Sequence, residues 1–169
     1  MKKTLILAAI SLLSSISVAH AAEADYYAGA SVGGVMADFD VSGHQTNPSE
    51  SVFVGRKINE TFSAEVGYTH FGKLTLDNGQ RGDAQVVGIS GVAHAPLFQK
   101  LDGYAKVGVA YTKFTDGANE QKFKPSYAVG TSYPLNSKVA LTAEVQYIRD
   151  FASTSTPVMN TAVGATYKF

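Results

Sequence analysis

The 169-residue chain contains no cysteine and no tryptophan, and only 17% of its positions are charged. Without cysteine, neither a disulfide framework nor a thiolate metal site can form. Beyond the leader, no segment approaches the roughly 18 to 20 continuous apolar residues that a membrane-spanning helix requires. Any membrane placement is therefore open only to a closed sheet, which pairs its backbone polar groups internally. Excess positive charge is also missing. The 14 Lys and Arg balance 14 Asp and Glu, and setting aside Lys2 and Lys3 leaves 12 against 14, a formal charge of −2. A balance of that kind lacks the basic patch a nucleic-acid surface needs.

What the chain does have begins at its start. Met1-Lys2-Lys3 precedes an apolar stretch from Leu5 to Val18 and the small-x-small triplet Ala19-His20-Ala21, the layout of a secretory signal peptide cut before Ala22. Residues 1–21 are then a signal peptide and residues 22–169 a single domain. With 16 glycines, nine tyrosines and nine phenylalanines, the composition fits an all-β chain with one apolar face.

Period-two alternation is clearest where Phe62, Ala64, Val66 and Tyr68 interleave with Ser63, Glu65, Gly67 and Thr69. The pattern returns in Val139, Leu141, Ala143, Val145 and Tyr147, in Leu101, Ala105, Val107, Val109 and Tyr111, and in Met159, Val163, Ala165, Tyr167 and Phe169. Four further strands are expected at Tyr26 to Phe39, Ser51 to Lys57, Asp83 to Ala95 and Lys124 to Tyr133, where Gly and Ala blur the two faces. The connections alternate in length. Ile58 to Glu60, Pro96 to Lys100 and Pro134 to Lys138 are short, whereas Asp40 to Glu50, Gly72 to Gly82, Thr115 to Lys122 and Asp150 to Pro157 are longer and polar. Short turns at one rim and longer loops at the other, with both termini at the turn rim, describe an eight-stranded antiparallel up-and-down transmembrane β-barrel. A strand of about ten residues tilted by about 40° climbs about 25 Å, the height of an outer-membrane apolar band.

A soluble barrel also alternates, so the polar face must decide between the two. A water-bathed face is dense in charge. Here it is small: Ser63, Gly67, Thr69, Gly108, Ala110, Ser126, Ala128, Gly130, Ser132, Ala162, Gly164 and Thr166. Small side chains fit the inside of a narrow eight-stranded barrel. Glu65, Lys106 and Glu144 lie on that face and are expected to pair across the core. Aromatic residues fall near strand ends, as interfacial girdles do: Tyr27, Phe62, Tyr133, Tyr167 and Phe169 toward the turns, and Phe39, Tyr68, Tyr111, Tyr147 and Phe151 toward the loops.

Three segments then resemble the OmpA-type family of small outer-membrane barrels: Tyr27 to Gly34; Val54 to Asn59 leading into Phe62 to Gly72; and Lys124 to Phe151, with Gly130, Tyr133, Leu135, Leu141, Glu144, Tyr147, Arg149 and Asp150. The resemblance covers the whole mature sequence. It implies export, chaperoned transit through the periplasm, insertion by the barrel-assembly machinery, and loops facing outside the cell. It also implies a lumen filled by a charge network to which Glu65, Lys106 and Glu144 correspond. Val163, Ala165, Tyr167 and Phe169 resemble the C-terminal signal that the assembly machinery reads. Some family members continue into a peptidoglycan-binding domain, and the sequence stops at Phe169, so cell-wall anchoring of that kind is not expected.

Catalytic chemistry has little to stand on. Some small outer-membrane barrels modify lipid A with Ser, His and an acid, but His44, His70 and His94 are followed by Gln45, Phe71 and Ala95, without a His-x-Ser signature or a base-and-nucleophile pair. No cofactor is implied, and no metal site is expected, because His70 and His94 fall at opposite strand ends. Asn59-Glu60-Thr61 reads as turn chemistry rather than a glycosylation acceptor. The sequence therefore predicts a non-enzymatic outer-membrane protein with a structural, envelope-integrity or surface-interaction role. Its expected partners are outer-membrane lipid and lipopolysaccharide, the assembly machinery and chaperones, and an extracellular ligand at the loops. The alternatives are a narrow channel for water, ions or small solutes, and, further off, a lipid-A-modifying enzyme or a soluble ligand-binding barrel.

Overall fold

The computed structural model describes residues 26–37, 47–75, 81–116, 118–149 and 157–169. The leader, His44, Phe39, Phe151 and the turn at Asp77 to Gly79 lie outside the described residues. Eight strands follow one another: β1 (Tyr26–Ala37), β2 (Asn47–Lys57), β3 (Phe62–Thr75), β4 (Arg81–Phe98), β5 (Leu101–Asp116), β6 (Ala118–Pro134), β7 (Val139–Ile148) and β8 (Val158–Lys168). Each pairs antiparallel with its sequence neighbour, and β1 pairs with β8, so the sheet closes with no free edge.

Register fixes which face is inside. Ser51 sits opposite both Ser31 and Thr69, Glu65 opposite Gly55 and Ser90, and Lys106 opposite Val92 and Ala128. The odd-numbered positions of β1, β2 and, up to Phe71, β3, and the even-numbered positions of β4 up to Pro96 and of β5 to β8 therefore line the lumen. The small residues of the polar face all point inward. Val66, Ile89, Val107, Val129, Leu141, Val145 and Val163 stand exposed on the outer wall.

Two short turns share one device. Asn59 Oδ1 accepts hydrogen bonds from the Thr61 and Phe62 N–H groups at 2.9 and 2.7 Å. Asn136 Oδ1 accepts from the Lys138 and Val139 N–H groups, both at 2.8 Å. Each asparagine side chain satisfies the amides that a tight turn would leave unpaired.

Several strands run further than their hydrophobic patterns indicate. Instead of a loop from Thr115 to Lys122, β5 and β6 stay paired up to Asp116 opposite Ala118. In the segment Gly72 to Gly82, β3 continues to Thr75 and β4 starts at Arg81; β2 begins at Asn47, and β4 runs through Pro96 to Phe98. Beyond the membrane band both faces are wet and alternation fades, yet backbone N–H and C=O groups still gain by pairing, so the ladder outlasts its pattern. The irregularities fall where expected. The β4–β5 register shifts between Pro96 and Phe98, beside a residue with no N–H to donate. The β3–β4 register shifts between His70 and Lys73, around Gly72 at φ +62°, a conformation glycine adopts without a Cβ penalty.

Candidate functional site: the closed lumen

Alternate strands of the barrel, β3, β5 and β7, bring together the three charges predicted from sequence. Lys106 Nζ on β5 lies 2.6 Å from Glu65 Oε2 on β3 and 2.7 Å from Glu144 Oε2 on β7. Their side chains are only 12, 9 and 24% exposed. The cluster extends to residues the alternation pattern did not single out. The Tyr27 hydroxyl donates to Glu65 Oε1 at 2.7 Å and lies 2.9 Å from Ser63 Oγ, which is 2.8 Å from His94 Nε2. Tyr104 hydrogen-bonds Glu144. Lys106 Nζ also sits 4.8 Å from the Phe53 ring centroid and 5.1 Å from that of Tyr104. Each of the two carboxylates on the one ammonium also accepts from a tyrosine hydroxyl, and no buried side-chain N or O among the described residues lacks a partner.

Glycines make room for these rings. Phe53, Tyr27 and Tyr104 each lie directly across from a glycine on the neighbouring strand, namely Gly29, Gly55 and Gly130. A Cβ at any of the three would overlap the facing ring. In a lumen this narrow, a large side chain is accommodated where its cross-strand neighbour has none.

Toward the loop end, the lumen changes character. Val35, Phe71, Ala84, Val86, Ala110, Ile148 and Val158 form a buried apolar cluster contributed by β1, β3, β4, β5, β7 and β8. Phe71, directly before the Gly72 bulge, continues the inward parity of β3 and has no solvent exposure. Between this plug and the ion network lies a cavity of about 70 Å³ lined by Ser31, Ser51, Thr69, Ser90, Gln146 and Asn160, among others. It has room for a few waters. The lumen is therefore shut twice, by charge at mid-height and by apolar packing above.

Other sequence-predicted residues divide by parity. Phe62, Tyr133, Tyr167 and Phe169 stand exposed at the turn end of the outer wall, and Tyr68, Tyr111 and Tyr147 face outward toward the loops. Tyr27 is corrected: it is 7% exposed, points into the lumen and belongs to the charge network, while its neighbour Tyr26 takes the girdle position. The glycine-rich start of β1 carried no clear alternation to fix that parity. Tyr26, Phe98, Phe123 and Tyr127 are outward aromatics that the pattern did not pick out. Val163, Ala165 and Tyr167 share the outer face of β8, and the Phe169 N–H donates to the Tyr26 carbonyl at 3.2 Å.

Two further chemistry-bearing pairs stand among the described residues. His94 and Ser63, 31 residues apart, are joined only through the β3–β4 register, which no spacing rule reveals. Ser63 is 2% exposed, and its oxygen is shared with Tyr27, so the pair is part of the hydrogen-bonded packing of the lumen. At the loop end, His70 Nε2 meets Asp83 Oδ1 at 2.6 Å on the outer wall. Among the described residues no group of three metal-ligating side chains occurs.

A closed eight-stranded antiparallel barrel with an apolar outer wall, interfacial aromatics and a filled polar lumen defines the class of small transmembrane β-barrels. Within that class the chain belongs to the OmpA-like transmembrane domain family, whose profile matches residues 21–169. It is 26% identical over 198 residues to Outer membrane protein A of Yersinia pseudotuberculosis, a match covering 100% of this chain and 56% of that protein. The chain thus spans little more than half the length of that curated relative. Among solved structures, it resembles Neisserial surface protein A with a TM-score of 0.69 at 18% identity, covering 86% of this chain and 97% of the other. It also resembles Ail, the attachment invasion locus protein of Yersinia pestis, with a TM-score of 0.59 at 15% identity, covering 88% and 100%. At these identities the likeness is one of fold.

Proposed function

We propose that the chain is exported by its N-terminal leader, folded by the assembly machinery with Val163, Ala165, Tyr167 and Phe169 as its recognition strand, and set in the outer membrane as a non-enzymatic structural or surface-interaction barrel. Lipopolysaccharide and phospholipid surround it, and its loops meet extracellular partners. The observation that carries the reading is the doubly closed lumen: a barrel meant to pass solutes continuously would not fill its bore with both the Lys106 ion network and the Phe71 plug. The narrow-channel reading draws its support from the polar cavity between the two closures. Planar-bilayer recordings of heat-modifiable protein separate them. The structural reading expects wild type to show no sustained conductance, and steady wild-type conductance abolished by Lys106→Ala would replace it with the channel.

A further inference from the structure

The outer wall carries a feature at its turn end that neither the closed lumen nor the loops employ. Where the barrel closes, Tyr26 on β1 sits opposite Arg56 on β2, and the Arg56 guanidinium lies over the Tyr26 ring, 5.4 Å from its centroid. On the other side of the seam, Lys138 Nζ, at the turn before β7, lies 5.6 Å from the Tyr167 ring centroid and 3.5 Å from its hydroxyl. Tyr167 and Phe169 pack edge to face at 5.5 Å, and the backbone of Phe169 is hydrogen-bonded to that of Tyr26. Arg56, Tyr26, Phe169, Tyr167 and Lys138 therefore form one arc across the seam, with a cation at each end and three exposed rings between.

Three strand spacings separate the ends of the arc, about 14 Å at the usual interstrand distance. The rings lie at the level of a membrane interface, where amphipathic aromatic side chains settle. Both cations are exposed and held over ring faces, and among the described residues neither is ion-paired to a carboxylate. Around the whole turn rim, the described residues supply Arg56, Lys57, Lys100, Lys138 and Lys168 against Glu60 and Asp102, and the charge stays positive even with the carboxylate of Phe169 counted.

We propose that this arc binds the phosphodiester headgroups of anionic phospholipids in the leaflet that meets the short turns. Arg56 and Lys138 engage the phosphate oxygens, the Tyr26 and Tyr167 rings sit at the glycerol level, and small outward residues such as Ala28, Ala30 and Ala165 leave space for acyl chains below. Charge complementarity selects the occupant: a guanidinium offers a paired donor fork to phosphate, whereas a zwitterionic headgroup brings its own cation to the same place. The proposal rests on the membrane-spanning reading of the barrel and adds a lipid preference to it.

The test uses the full chain, verified by heat-dependent gel mobility, in phosphatidylcholine vesicles doped with spin-labelled phosphatidylglycerol or spin-labelled phosphatidylcholine. The motionally restricted fraction of each label is read by electron paramagnetic resonance. Wild type is expected to favour the phosphatidylglycerol label by about five-fold, roughly what one cation near an anionic surface supplies. Arg56→Gln/Lys138→Gln should bring the ratio close to one, while Lys113→Gln on the outer wall at the loop end leaves it unchanged. If the double variant inserts poorly, the single variants and wild type at high salt take its place, since screening must lower the preference. A wild-type ratio of one, or a preference lost in Lys113→Gln and kept in the double variant, overturns the proposal. Failure of the membrane reading itself is distinct: neither label would be immobilised and heating would not shift the gel band.

Discussion

Replacing Lys106 by methionine keeps the length of the side chain and removes its charge, leaving Glu65 and Glu144 facing one another. Because both carboxylates bond one nitrogen, at 2.6 and 2.7 Å, the facing oxygens lie no more than about 5 Å apart. Two unit charges at that distance repel by about 3 kcal/mol at an effective dielectric of about 20. Removing one partner of a buried pair costs about 3–5 kcal/mol in measured cases, so Lys106→Met is expected to lose about that much. The neutralised triple variant Glu65→Gln/Lys106→Met/Glu144→Gln should recover most of the loss, because the amides still accept from Tyr27 and Tyr104 and no charge remains unpaired. The chain contains no tryptophan, so urea unfolding in vesicles is followed by far-ultraviolet circular dichroism and by the heat-modifiable gel band. A Lys106→Met loss below about 1 kcal/mol, or a triple variant as unstable as the single one, would refute the claim that unpaired charge is the dominant cost.

Gly29→Ala drives a methyl group into the Phe53 ring and should cost about 1–3 kcal/mol, in line with overpacked cores; Phe53→Ala in the same chain should relieve the clash, and a double-mutant unfolding cycle measures the coupling. Probes attached at Val66, Leu141 or Val145 should be quenched by bilayer-dissolved quenchers, whereas a probe at Thr69 should be shielded; the reverse pattern turns the barrel inside out. Deleting Phe169 should lower the amount of assembled barrel, read by gel mobility of membrane extracts, without reducing export, and normal assembly in that variant removes the recognition role given to the last strand.

How much of this was legible in the sequence depends on how far each residue's environment is fixed by its own strand. The outer wall is set by lipid alone, and a strand such as Phe62 to Thr69 declares it through simple alternation. Lumen positions are set by what faces them across the barrel. Glu65, Lys106 and Glu144 could be assigned to one face from parity, but the tyrosines that complete the network depend on register: Tyr27 reaches Glu65 across two strands, and its ring fits only because Gly55 lies opposite. The Gly-Ala composition of β1 left Tyr26 and Tyr27 indistinguishable until β2 and β8 fixed their faces. The Phe71 plug was hidden for another reason. Extending the β3 alternation past Thr69 does place residue 71 inside, but the sequence turns polar and glycine-bearing there and reads as a loop, and the apolar partners of Phe71 come from five other strands.

The two closures differ in what opens them, which bears on why the protein is read as a wall rather than a passage. Swinging Lys106 away leaves both carboxylates unpaired at a cost of at least about 3 kcal/mol, the lower end for losing one partner of a buried pair, but does nothing to Phe71, Val35, Ile148 and Val158, which still exclude water. Turning Phe71 out of the plug exposes an apolar side chain, at about 1.5–3 kcal/mol, but leaves the ammonium locked between two carboxylates. A continuous water path needs both, about 5 kcal/mol together, and at a factor of ten per 1.4 kcal/mol the open state holds on the order of one molecule in several thousand. Eliminating either closure alone raises that fraction only part of the way, so Lys106→Ala and Phe71→Ala should each give rare, brief openings, and sustained conductance should require the two together. Had one gate governed the lumen, a single substitution would suffice; the apolar cluster above the ion network is the reason it does not.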